Sequence, residues 1–300
     1  VCSSDLPLFE NDVPPQGTTQ EENSTWDSIF GEGNGIPIRI VSPVQLYPIE
    51  KGSQPQFEEL IIHIHGGGWV SMASYSSQLF TRPWAKSLGK PIFGIDYRLA
   101  PENRYPAGLD DCWQAYNWLV DNARNFGIKP KKVILLGDSA GGNLVLSLTL
   151  LLIKAKRRVP DGIFVAYPGL YLTGEYYSPS LLEAMDDPVV SYKYLELFLN
   201  SYLEEPARGL RDPVASPLIA PQEILKFFPP TKIVVGTKDP LHDDSWRLVH
   251  KLKKAGCNVS ITAYLDMPHG FLMLDIPDGM PQAKQCIKEC AEEIRELLKK

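Results

Sequence analysis

Val133-Ile134-Leu135-Leu136-Gly137-Asp138-Ser139-Ala140-Gly141-Gly142 joins an apolar run to a turn of small residues, and a second apolar run follows from Asn143. The short run reads as a buried strand, Val133 to Gly137. The longer one, Ala140 to Lys156, exceeds a strand's length and reads as a helix. A serine between strand and helix, with glycines on both sides as G-x-S-x-G, is the setting of a nucleophile elbow. There the serine occupies a strained turn, and small neighbours let the chain bend without clashes. The five-residue motif alone arises often by chance, and the flanking strand, helix and extra Gly142 are what give it weight.

His65-Gly66-Gly67-Gly68 follows another apolar strand, Leu60 to Ile64. Three successive glycines lose backbone entropy on folding and pack nothing, so they suit a place where bare N–H groups must approach a ligand. Beside a serine nucleophile they read as an oxyanion loop, with the N–H groups of Gly67, Gly68 and Ala140 as donors. His65 and Gly66 then support the loop, and neither His65 nor His63 fits a metal-ligand pattern. A serine hydroxyl also needs a base, and the base a group that orients it. In the order serine, acid, histidine, three histidines remain. His242 and His250 fall at the start of a helix and within it, whereas His269 lies in a loop just past the last strand, where such sheets place function. His269 is the expected base. Asp239, two residues beyond the strand Lys232 to Thr237, is the expected acid. Asp243 and Asp244 sit where carboxylates cap a helix, and Asp266 is too near His269 in sequence to face its ring.

Around these motifs, β-branched runs alternate with helical patterns, the form of an α/β sheet. Eight strands are expected: 38–41, 44–48, 60–65, 91–96, 133–137, 162–167, 232–237 and 259–264. Helices are expected over 78–88, 107–126, 140–156, 244–255 and 281–298. Between Gly169 and Asp212 the alternation stops, and Tyr171, Tyr176, Tyr177, Tyr192, Tyr194, Phe198 and Tyr202 crowd a segment with two expected helices, 180–185 and 191–203. It reads as a lid over a pocket. Residues 1–37 read as an irregular arm, and Gly31 to Gly35 lacks the strand, spacing and helix of a nucleotide loop.

Composition removes other classes. A hydrophobic content of 44% is that of a globular chain. The net charge of −6 offers no general field for nucleic acid, and the basic run Lys154 to Arg158 suits a helix C-terminus. Five scattered cysteines without a C-x-x-C pair predict neither a disulfide framework nor structural zinc, so a reducing cytoplasm is the expected compartment. Cys286 and Cys290 share a helical face and read as packed thiols. The most apolar stretch, Leu144 to Ile153, is half of the about twenty residues that span a bilayer. The chain opens on Val1, with no signal-peptide pattern after it.

These motifs, in this order, resemble the hormone-sensitive lipase family of α/β hydrolases. Carrying the resemblance are His65 to Gly68, Tyr97-Arg98-Leu99-Ala100-Pro101-Glu102, Tyr105-Pro106-Ala107, Gly137 to Gly142, Asp239-Pro240-Leu241-His242-Asp243-Asp244 and Pro268-His269-Gly270-Phe271. Arg158 to Ile163 and Ala166-Tyr167-Pro168 look closer to eukaryotic members than to bacterial ones. The resemblance implies a single α/β-hydrolase domain with a core of about 38–169 and 213–300. It also implies a helical cap of about 1–37 and 170–212. The expected activity is serine carboxylic-ester hydrolysis through an acyl-enzyme, on short- to medium-chain esters, without metal or organic cofactor. The expected partners are a small-molecule ester and, at most, a second copy of the chain in a homodimer. A neutral acylglycerol or sterol-ester lipase is the alternative. A non-catalytic receptor on this fold is less favoured because Ser139, Asp239 and His269 are all present.

Overall fold

The computed structural model describes residues 35–299. The expected N-terminal arm, its part in a cap and most of the Gly31 to Gly35 run therefore lie outside the described residues. Seven strands form one sheet: β1 (Ile38–Val41), β2 (Phe57–Ile64), β3 (Ile92–Ile95), β4 (Ile128–Asp138), β5 (Gly162–Ala166), β6 (Thr231–Gly236) and β7 (Val259–Tyr264). Their order across the sheet is β1-β3-β2-β4-β5-β6-β7, with β1 antiparallel to β3 and the other pairs parallel. The helices are α1 (Gln78–Leu88), α2 (Ala107–Asn122), α3 (Ala140–Lys154), α4 (Pro179–Glu183), α5 (Tyr192–Tyr202), α6 (Gln222–Leu225), α7 (His242–Lys254) and α8 (Pro281–Lys299).

The eighth expected strand, Val44 to Pro48, is not one. Pro43 and Pro48 bracket it, and the Tyr47 N–H donates to the Gln56 side-chain oxygen at 2.8 Å instead of to a neighbouring strand. Val44 and Tyr47 are about half exposed, so no buried face pulls the segment into the sheet. In the opposite sense β4 starts five residues earlier than expected. Its polar first half, Lys129-Pro130-Lys131-Lys132, pairs beside an irregularity in β2 between Phe57 and Glu59, the kind of site that tolerates proline in a sheet.

Alternation along the central strands explains the layering. Leu60, Ile62 and Ile64 of β2, with Val133 and Leu135 of β4, face a core shared with Leu109 of α2, Leu144 and Leu148 of α3 and Leu248 of α7. Their neighbours Ile61, Ile134 and Leu136 face the other side, where Phe80 and Trp84 of α1 meet Ile287, Cys290 and Ile294 of α8. Helices thus cover both faces, which is why the strands read as unbroken apolar runs. Cys286 and Cys290, expected as packed thiols, are buried in this second core. No helix among the described residues is long and apolar enough to cross a membrane.

In the second core the Trp84 indole N–H donates to the Ile287 carbonyl at 2.9 Å and ties α1 to α8. Trp84→Phe shrinks the buried ring and deletes this donor, while the Ile287 carbonyl keeps its partner within α8. The substitution should cost about 1–2 kcal/mol. Urea denaturation followed by circular dichroism measures it. A change below about 0.5 kcal/mol would show that the indole contact contributes little to holding α1 on α8.

Candidate active site

Strand β4, in the middle of the sheet, delivers Ser139 at its C-terminal end with φ +51° and ψ −119°. A non-glycine residue holds such a conformation only where its surroundings over-determine it. Here the Ser139 N–H donates to Ala166 O of β5 at 2.9 Å, and its carbonyl accepts from Asn143 N at 3.1 Å and Gly169 N at 3.2 Å. The motif's glycines follow from crowding. A Cβ on Gly141 would fall onto the Ile64 carbonyl oxygen, and one on Gly142 would approach Pro168 Cβ to 2.9 Å. The turn is thereby pressed directly against the end of β2.

The structure brings Ser139, His269 and Asp239 into line. His269 Nε2 lies 2.8 Å from Ser139 Oγ, and His269 Nδ1 lies 3.0 Å from Asp239 Oδ2. An ionised carboxylate only accepts, so Nδ1 carries the proton and Nε2 presents its lone pair to the hydroxyl. Asp239 and His269 are both almost fully buried. Asp239 Oδ1 also accepts from the Leu241 N–H at 2.7 Å, which fixes the carboxylate. The loops after β6 and β7 can approach because Gly236 has no Cβ; one there would strike the Met267 carbonyl. Burial lowers the proton affinity of His269, but the charge and hydrogen bond of Asp239, with Asp187 and Asp138 behind them, more than offset it. Its pKa is raised above the ordinary 6.5.

The other expected residues are placed as follows. Gly67 and Gly68 have φ of +107° and +61°, and among the described residues no acceptor takes the N–H groups of Gly67, Gly68 or Ala140. Gly66 N–H donates to Asp138 Oδ1 at 3.1 Å, joining the glycine loop to the elbow. His65 is buried, stacks on Tyr97 at 4.3 Å and donates from Nδ1 to the Gly66 carbonyl at 2.7 Å. Burial lowers its pKa, so it is neutral and braces the loop. Asp244 pairs with Arg247 at 2.8 Å, while Asp243 accepts from the Ser180 N–H at 3.0 Å. His242 accepts from the Trp246 indole, and His250 is exposed.

Three residues that the sequence reading passed over also shape the site. Asp138 ties the glycine loop and lies 3.2 Å from His63 Nε2. Asn143 donates to the carbonyls of Gly169 and Ala215, each at 2.9 Å, bracing the chain beside the elbow. Asp187 accepts the His269 N–H at 3.0 Å from across the fold. The first two lay within or beside the quoted motif. The third had no local signal beyond an aspartate before a proline.

Above Ser139 lies a cavity of about 850 Å³ of atom-free space, its open mouth included. Trp69, Leu170, Leu172, Leu181, Leu195 and Phe198 supply apolar wall, and Tyr171, Tyr176, Glu196 and Asp244 polar wall. Much of this lining comes from α4, α5 and the chain between β5 and α4, close to the two helices expected there. Phe198 sits against Gly68, where any Cβ would enter its ring. Trp69 stacks on Tyr202 at 4.6 Å, and Arg104 holds the end of α5 through the carbonyls of Asn200 and Leu203.

The sequence profile of the alpha/beta hydrolase fold family matches residues 61–273. Hormone-sensitive lipase of Mus musculus is 41% identical over 148 residues, 49% of this chain and 19% of that protein. The chain thus spans about a fifth of that relative's length. An esterase of Acinetobacter venetianus is 32% identical over 265 residues, covering 88% of this chain and 84% of its own. Among solved structures, carboxyl esterase 2 of the mycorrhizal fungus Tuber melanosporum superposes with a TM-score of 0.81 at 27% identity, over 97% of this chain and 93% of that one.

The crowding at the elbow can be tested by itself. Gly141→Ala should lower stability by about 3 kcal/mol or more, since backbone and not a flexible side chain must move. Gly174→Ala, with nothing within 4 Å of the added carbon, should stay within about 0.5 kcal/mol of the parent. Equal melting temperatures for the two variants would show that the elbow relaxes freely.

Proposed function

Because the chain belongs to the alpha/beta hydrolase fold family, in its hormone-sensitive lipase branch, we propose that it is a serine carboxylic-ester hydrolase. The observation that carries this is the continuous path from Asp239 through His269 to Ser139 Oγ, with hydrogen bonds of 3.0 and 2.8 Å. His269 Nε2 takes the hydroxyl proton as Oγ bonds to the ester carbonyl carbon. The N–H groups of Gly67, Gly68 and Ala140 face the oxyanion that develops. Collapse breaks the bond to the alcohol, which leaves with the proton from His269, and Ser139 carries the acyl group. Water then adds, giving its proton to His269; the acyl bond breaks, and the proton returns to Ser139. Asp239 orients the ring and stabilises its charged form. Every step uses side chains and amides of this chain, so the reading needs no metal or organic cofactor.

Segment 170–212 acts as a cap in this reading, and the pocket it closes supports short- to medium-chain acyl groups. Each methylene moved from water to the apolar wall contributes about 0.8 kcal/mol until the wall ends. A neutral acylglycerol lipase, as the mouse relative's name has it, is the alternative for long chains. The reading retains an ester and a second copy of the chain as partners and no nucleic acid, in keeping with the charge of −6. Free thiols at Cys112, Cys257, Cys286 and Cys290 support a reducing, cytoplasmic setting.

A fluorophosphonate probe should label the parent and not Ser139→Ala. In nitrophenyl-ester assays Asp239→Asn should lower kcat by about 10⁴ through the wrong imidazole tautomer, whereas Asp244→Asn should cost far less. A labelled, active Ser139→Ala would remove the mechanism, and the reverse order for the aspartates would move the acid. Separately, kcat/KM across acyl lengths should climb through short and medium chains and fall for emulsified long-chain triacylglycerol. A sharp rise in rate at the onset of emulsion, with little hydrolysis of dissolved short esters, would identify a lipase instead.

A further inference from the structure

Asp187 lies between α4 and α5, far from both catalytic loops in sequence, and is buried at 6% exposure. Among the described residues no lysine or arginine pairs with it. A carboxylate out of water is costly unless hydrogen bonds replace the solvent, and here three amides do so. Oδ1 accepts from Val189 N at 2.8 Å and Val190 N at 2.7 Å, which closes a local turn. Oδ2 accepts from the His269 N–H at 3.0 Å. A turn alone needs only the first oxygen, so the second is committed to the main chain of the base. Val189 adds a steric contact, because a Cβ on Gly270 would come within 3.1 Å of its methyl.

The same segment also grips the loop of the acid. Ser180 Oγ donates to the Pro240 carbonyl at 3.0 Å, and the Ser180 N–H donates to Asp243 at 3.0 Å. Residues 180–190 thus hold the acid loop at one end and the base loop at the other. The imidazole meets Asp239 from the loop after β6, the Ser139 hydroxyl and the Tyr167 ring at 4.8 Å from the end of β5, while Asp187 and Asp138 from the end of β4 act on it through their charge. Asp187 alone among them comes from the segment over the pocket.

We propose that Asp187 is a positioning residue for His269, holding the main chain of the base against the cap segment and adding a negative charge behind the imidazole. The seating of the segment and the competence of the base are then one event. Asp187 does not line the cavity, so its loss should act on kcat and leave KM near the parent value. Removing its charge also takes away one of the influences that raise the pKa of His269. The imidazole of Asp187→Asn should therefore lose its proton at lower pH, and the acid limb of kcat/KM should move the same way.

The kinetic arm of the test rests on the ester-hydrolase reading; an NMR titration of the His269 imidazole does not. In Asp187→Asn, kcat per fluorophosphonate-labelled site should fall about 10- to 100-fold, as expected for a slightly misplaced catalytic group. Both the acid limb and the NMR midpoint should shift to lower pH. Asp187→Glu, which keeps the charge but displaces it, should hold the midpoint near the parent's while kcat per labelled site still drops. The inference is overturned if Asp187→Asn merely loses stability or labelled fraction, with kcat per site and midpoint unchanged. Should that variant not fold, an unchanged kcat per site in Asp187→Glu overturns it equally. A parent that is neither labelled nor active would sink the hydrolase reading, and the NMR midpoints would still decide the charge effect of Asp187.

Discussion

The structure turns on the strained main chain at Ser139. An L-residue at φ +51° is unfavourable, and it survives because the end of β4 is enclosed by β2 on one side and β5 on the other. That enclosure explains the sequence around it. Bulk at Gly141 or Gly142 would push α3 away from the sheet, and bulk at Gly66 would displace Asp138, whose carboxylate ties the glycine loop to the elbow. The hydroxyl is thus held clear of its own helix at the rim of the sheet, where loops from β2, β6 and β7 can reach it.

Electrostatics at the rim follow the same economy of placement. Two buried histidines have their pKa values moved in opposite directions because their neighbours differ. His65 has its imidazole N–H on a neutral carbonyl and is kept uncharged by burial. His269 is equally buried, yet Asp239 touches it directly and two more carboxylates stand near, so its pKa moves up instead of down. A base that must hold a proton between two chemical steps profits from this surrounding, whereas a loop brace profits from having no charge at all.

Much of this was legible in the sequence because it is local. The elbow, the glycine loop and the positions of Asp239 and His269 past their strands are each set within a few residues, and apolar runs reveal strands buried on both faces. The failures share a different cause. Val44 to Pro48 has the composition of a strand but no neighbour to pair with, and pairing is a property of the sheet. The start of β4 looks polar because its sheet partner there is equally exposed. Asp187 was invisible because its partner, His269, is 82 residues away, and nothing in Met185-Asp186-Asp187-Pro188 announces a tertiary role.

The placement of α8 has a consequence for how the chain is made. It is the last described helix, yet it covers the face of the sheet formed by Ile61, Ile134, Leu136 and Phe164, all in strands synthesised far earlier. Until residues 281–299 leave the ribosome, that apolar face has α1 on it but not its main cover. The nascent chain must therefore wait with a sticky surface uncovered, a state that invites aggregation or chaperone binding. The long separation between those strands and their covering helix also makes the closing step a slow, non-local one.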